Sequence, residues 1–182
     1  MRTAMLLNSA TILRMNATLA VLLFVTSVQT GSLTFTAPAD WKPRPPASTM
    51  RVAEFVPPRA PGDTEDTDVI VYFFGPMPGS VEANIDRWIG QFKTESSAPP
   101  QATRDTATIN GLKVTTMTIE GTYIAEVRPG SQERYNKPNF RMRAAVVETP
   151  KGPYFIKLTG PIASVRQASG AFDQFLKSVK FQ

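Results

Sequence analysis

The amino-acid sequence predicts an α+β fold: an antiparallel β-sheet of about six to seven strands with helices packed on its faces. Three observations carry that reading. Hairpin turn signals fall at Asn110-Gly111 and at Thr149-Pro150-Lys151-Gly152; apolar residues at helical spacing follow Ser80 and again Ser164; and the run Val69-Ile70-Val71-Tyr72-Phe73-Phe74 is β-branched and aromatic throughout. Hairpins join antiparallel strands, and two helices are too few crossovers for a parallel sheet.

Each element follows from a local pattern. Leu33-Thr34-Phe35-Thr36 alternates in polarity and then meets Ala37-Pro38-Ala39-Asp40-Trp41, a short strand ending in a turn with one large aromatic anchor. Residues 43–47 read as a proline-rich loop, with a Pro-x-x-Pro ligand as the alternative. Residues 50–56 form a second strand closed by Pro57-Pro58, and the polar turn 61–68 delivers the chain into 69–74, expected to be the central strand, covered on both faces. Ser80 is an expected N-cap, and Val81, Ile85, Trp88, Ile89 and Phe92 share one side of a helix running from Val81 to about Lys93. Asn110-Gly111 supplies the left-handed residues of a tight hairpin between 103–109 and 112–124. A loop over 126–139 leads to a strand at 140–148, which the second hairpin joins to 153–159. Gly160-Pro161 is expected to end the sheet, before a last helix from about Ser164 that buries Val165, Ala168, Phe172, Phe175, Leu176 and Val179. The predicted order is β-β-β-α-β-β-β-β-α.

Composition narrows the chemistry. The chain has 182 residues, 42% hydrophobic and 19% charged, with a net charge of +5 and neither cysteine nor histidine. Disulfides, thiolate nucleophiles, histidine bases, haem ligation and ordinary zinc sites all need one of those two residues, so catalysis would have to rest on Asp, Glu, Lys, Ser or Tyr. No Gly-x-Ser-x-Gly elbow, Ser-x-x-Lys set or phosphate loop occurs.

Residues 1–30 carry Arg2 and Arg14, no acidic residue, and the apolar run from Ala17 to Val25. A run of about nine residues with a basic flank has signal-peptide length, whereas a spanning helix needs about twenty. The expectation is a signal peptide over 1–30 and a single domain over 31–182, secreted or periplasmic after cleavage, with no transmembrane segment in the mature chain. Val28-Gln29-Thr30-Gly31-Ser32 lacks a clear Ala-x-Ala site, so an uncleaved anchor is the alternative.

Several clusters invite a function. Asn84, Arg87 and Gln91 form a polar helical stripe beside Trp88; guanidinium and amide groups together suit a carboxylate or a peptide, although the same side chains also suit pinning the helix to neighbouring loops. Charge is uneven: residues 40–126 hold 8 basic and 12 acidic side chains, and 128–182 hold 10 and 3. Arg141 and Arg143 alternate along one strand and so share a face, with Lys157 expected to join them from the hairpin partner, as a surface to steer an acidic partner. Gly79-Ser80 at a helix start offers an anion site, but the neighbouring prolines remove donors. Asp63, Glu65, Asp66 and Asp68 suggest calcium but lack the alternation and central glycine of an EF-hand loop, and read as a solvated turn. Glu120 and Glu148 are the strand carboxylates available to a glycosidase-type pair.

Three stretches resemble an uncharacterised family of bacterial exported proteins: Trp41 with Ser48-Thr49-Met50-Arg51-Val52-Ala53; Tyr72-Phe73-Phe74-Gly75 with Asn84-Ile85-Asp86-Arg87-Trp88-Ile89-Gly90-Gln91-Phe92; and Val147 through Phe155 with Lys157-Leu158-Thr159-Gly160-Pro161. The element order is similar to the PsbP-like (Mog/PsbP, DcrB) α/β/α sandwich. That resemblance implies an accessory, docking or ligand-holding protein without a shared active site. Gly75-Pro76-Met77-Pro78-Gly79-Ser80 departs from it, with proline where a more glycine-rich loop is expected. The combined expectation is an exported, non-catalytic binding or accessory protein of the periplasm or cell envelope. Its expected partner is an envelope protein or acidic ligand, with no cofactor, no metal and no nucleic acid. A carboxylate-dependent hydrolase and a structural envelope component are the alternatives.

Overall fold

A computed structural model describes residues 33–76, 80–95 and 100–182. The expected leader and the 77–79 part of the proline-bearing loop, including Gly79 of the anion site, lie outside them. In chain order the elements are β1 (Leu33–Thr34), β2 (Lys42–Arg44), β3 (Arg51–Val56), β4 (Asp68–Phe73), α1 (Ser80–Ile89), β5 (Phe92–Lys93), β6 (Thr103–Ile109), β7 (Leu112–Tyr123), β8 (Lys137–Val147), β9 (Tyr154–Pro161), α2 (Ile162–Lys177) and β10 (Lys180–Phe181). Eight strands form one antiparallel sheet in the order β2-β3-β4-β9-β8-β7, with β5 and β6 both paired to the far side of the long β7. β1 and β10 make a separate two-stranded ribbon that pairs Leu33 with Phe181 and Thr34 with Lys180.

The α+β expectation holds, and the differences have local causes. Lys42–Arg44 is an edge strand rather than loop; Pro43 is tolerated there because an edge leaves one side of the backbone unpaired. The centre of the sheet is β9, not the 69–74 strand, because the crossover through α1 carries the chain to the far side and the second hairpin brings β9 back between β4 and β8. Helix α1 stops at Ile89 instead of near Lys93. Gly90 sits at its end, and Phe92 reaches the same core from strand β5. β9 also runs through Gly160 and Pro161. A Cβ at Gly160 would lie 2.4 Å from Thr67 Oγ1, so the bare glycine is what lets the buried Thr67 lie against the strand.

The two helices cover opposite faces of the sheet. Residues of even number on β7 and of odd number on β8 face α2, and their neighbours in sequence face α1, as the pleat requires. The α2 side is centred on Phe175, whose ring lies 5.0 Å from Phe35 and 5.5 Å from Trp41, the anticipated aromatic anchor. Asn110 and Gly111 take φ of 50° and 81° in the first hairpin. Asn110 Nδ2 also donates to the carbonyls of Lys177, at 2.9 Å, and Val179, at 2.8 Å, fastening the hairpin to the end of α2.

Candidate functional site

β9 sets Lys157 in the middle of the sheet, between Ile70 of β4 and Ala144 of β8. Tyr154, Ile156 and Leu158 lie in the α2 core, so alternation turns Lys157 to the other face, under α1. Helix α1 crosses that face because Ile85 and Trp88 bury against β7, β8 and Phe155 of β9. That packing carries Asn84 and Arg87, one turn apart, along its flank, where Arg87 Nη2 donates to Asn84 Oδ1 at 2.6 Å. After Gly90 the chain turns; the Gln91 carbonyl accepts from the Ile124 amide at 2.8 Å, and its side-chain Oε1 accepts from Lys157 Nζ at 3.0 Å.

On the other side of Lys157, Glu54 of β3, Ile70 and Lys157 form one row across three strands. Two strand spacings, about 10 Å, separate the glutamate from the lysine. Glu54 is only 4% exposed, and its Oε1 accepts from Arg51 Nη1 at 3.1 Å and from the Ala47 amide at 2.6 Å. The Arg51 guanidinium lies 5.8 Å from the Tyr72 ring centre. Burial pushes the Tyr72 hydroxyl above its usual range, and Arg51 opposes that shift.

Lys157 is half-buried, and its partner is an amide. Burial pulls its ammonium down to about 7, and repulsion from Arg87 and Arg51 adds to the effect. Among the described residues, every other lysine and arginine either pairs with a carboxylate or is exposed. Two residues further along β9 on the same face, Thr159 Oγ1 is buried with no hydrogen-bond partner among the described residues. Among the described residues the cluster therefore offers cationic and hydroxyl donors with no carboxylate paired to Lys157, a chemistry able to hold an anion.

Of the expected site residues, Gln91 bonds Lys157 directly, Arg87 is near enough to repel it, and Asn84 is linked to it through Arg87. Arg141 and Arg143 do not join them. They face α2, where Arg141 pairs with Glu120, and Arg143 donates to Asp173 at 2.7 Å and to the Ser169 carbonyl at 2.9 Å. The expectation that Lys157 sits beside them fails on register: Lys157 stands opposite Ala144, and so takes the opposite face from Arg143. The expected basic steering surface is reduced accordingly, since both arginines are answered within the fold.

The acidic turn is dispersed among four partners. Asp63 accepts from the Ser164 amide at 2.9 Å near the start of α2, Asp66 pairs with Arg59 at 3.2 Å, Glu65 pairs with Lys137 and Asp68 with Arg44. A groove of about 450 Å³ beside this turn is lined by Asp63, Glu65, Asn139 and Ile162, on a different part of the molecule from Lys157. Glu120 binds Arg141 and Arg166, and Glu148 binds Lys113 at 2.9 Å. The register sets these two carboxylates near opposite ends of the β7–β8 pair, seven residues or roughly 23 Å apart along the strands.

No family model matches the sequence, and no curated relative matches it. Among solved structures, the chain is similar to the solution structure of cyanobacterial PsbP (CyanoP) from Synechocystis sp. PCC 6803, with a TM-score of 0.50 over 83% of this chain and 87% of that one, at 14% identity. The fold is PsbP-like. The sandwich anticipated from the element order is thus the architecture that carries the Lys157 cluster. No helix among the described residues is long and apolar enough to cross a membrane.

Proposed function

We propose that this chain is an exported, non-catalytic binding or accessory protein of the periplasm or cell envelope, and that it captures an acidic partner on the α1 side of its sheet. One observation carries the reading. Among the described residues the half-buried Lys157 has only the neutral amide of Gln91 as a hydrogen-bond partner and lies near the exposed Arg87, itself bonded to Asn84, while every other cation is paired or exposed. An unanswered, partly buried cation costs stability, and a fold that retains one gains from it when an anion arrives. The basic, apolar start of the chain supports export. The PsbP-like fold supports an accessory role by analogy of architecture. The hydrolase alternative loses ground because Glu120 and Glu148 are each held by cations far from one another.

The test is capture from envelope extracts with the wild-type protein and Arg87→Ala. Arg87 is exposed on α1, so the variant is expected to fold normally and to lose the captured partner, and wild-type capture is expected to weaken as salt rises. Equal capture by both proteins contradicts the reading. Recovery of the chain only from the cytosol contradicts the export it assumes.

A further inference from the structure

The ligand chemistry of this same site can be narrowed, a step that rests on the binding role just described. We infer that Lys157 is the centre of a carboxylate-binding site, in which one carboxylate sits between Lys157 Nζ and the Arg87 guanidinium and is oriented by Gln91. Three features select that anion. The donors are one ammonium and one planar fork, which match two oxygens of a carboxylate; phosphate is more often held by a nest of backbone amides at a helix N-terminus. Gln91 lies just past the C-terminal end of α1, where the helix dipole is negative, and that partial charge opposes a dianion more than a monoanion. Thr159 places an unanswered hydroxyl on the same face, and the half-buried Ile70 and Tyr72 offer apolar contact beside it.

Charged and titratable groups face Lys157 from each neighbouring element. α1 contributes Arg87; β3 contributes Arg51 and Glu54, which answer one another; β4 contributes Tyr72, with Asp68 held by Arg44; β8 contributes the uncharged Ala144. Lys157 is the group among them that changes charge near neutrality. The carboxylate requires it protonated, so each ligand enters with a proton once the pH exceeds about 7, and affinity falls about tenfold per pH unit above that point.

The test is an NMR titration of the ¹⁵N-labelled protein with N-acetylphenylalanine as a chain-terminal carboxylate, N-acetylglutamic acid α-amide as a side-chain carboxylate, N-acetylphenylalanine amide as the uncharged control, and inorganic phosphate. The expected result is saturable movement of the Lys157, Gln91 and Arg87 signals with at least one carboxylate, the better one naming the source. Phosphate and the amide should bind more weakly, and affinity should decline with pH. Lys157→Met keeps the stem and is expected to bind at least tenfold more weakly. Arg87→Ala, on an exposed position, is expected to bind several-fold more weakly and keeps the test open if the first variant does not fold. Phosphate binding tighter than both carboxylates, unchanged affinity in Arg87→Ala or in a folded Lys157→Met, or no response to either carboxylate overturns the inference. If envelope capture remains dependent on Arg87 while both carboxylates fail, the carboxylate assignment falls and the binding role stands. If a carboxylate binds but capture is indifferent to Arg87, the partner role falls and the site stands.

Discussion

On the α2 face, buried apolar side chains run unbroken from Ala53 and Phe55 through Val69 and Val71, then Ile156 and Leu158, to Ala145, Val147 and Val114. On the α1 face the same five strands bury an apolar floor only from Phe155 across β8 to Met117 and Ile119, while Ile70 and Tyr72 stay half-exposed and Lys157 interrupts the row. The strands are common to both faces; the covering helix differs. The sixteen residues of α2 cover a whole face with the help of Phe35 and Trp41, whereas the ten of α1 lie toward β7 and β8 and leave β4 partly uncovered. The completed face holds the fold together, and the incomplete one leaves Lys157 and Gln91 half-buried beside the uncovered part of β4.

Substitutions on each face should break this contrast in graded ways. Trp41→Ala on the completed face removes a ring packed against Phe55 and Phe175 and should cost about 3–5 kcal/mol in chemical denaturation. A cost below about 1 kcal/mol would mean that the α2 face is not the main store of stability.

Next in size is the pH dependence from Lys157. The folded-state lysine loses its proton near 7, and the unfolded chain keeps it until about 10.5. Between those values the unfolded state binds more protons, so stability rises with pH, by at most about 1.4 kcal/mol per unit. Denaturation of the wild type at pH 7 and 9 should show that rise, and Lys157→Met should flatten it. Asn110→Ala loses two hydrogen bonds to the end of α2 and puts alanine at a φ of 50°, for an expected loss of about 1–2 kcal/mol. The smallest effect belongs to Arg104→Ala on the α1 side. Its ion pairs with Glu82 and Asp86 are exposed, so the denaturation midpoint should move by less than about 1 kcal/mol.

Much of the sheet could be read from the chain because its signals are local. Asn110-Gly111 names its own turn type, and the spacing of Val81, Ile85 and Trp88 names a buried helical stripe without any knowledge of the partner strands. The strand β10 and the edge strand β2 are not legible in the sequence because two or three residues carry no period, and their pairing with β1 and β3 is set by packing at a distance. The same limit applies to the site. Asn84, Arg87 and Gln91 were visible as a stripe on one predicted helix, although Gln91 reaches Lys157 from the turn beyond it. The hairpin register sets Lys157 beside Ala144, on the face opposite the expected one, and that register cannot be counted from either strand alone. A lysine alternating with Phe155 on one side of a strand whose other side is wholly apolar was the available sign of an inward charge.

The most direct measurement is the titration of the Lys157 side-chain nitrogen in the ligand-free protein by ¹⁵N NMR. The midpoint is expected near 7 and should move upward when a carboxylate ligand saturates the site. A midpoint at the ordinary lysine value near 10.5, unmoved by any carboxylate, would mean that Lys157 is neither desolvated nor part of an anion site.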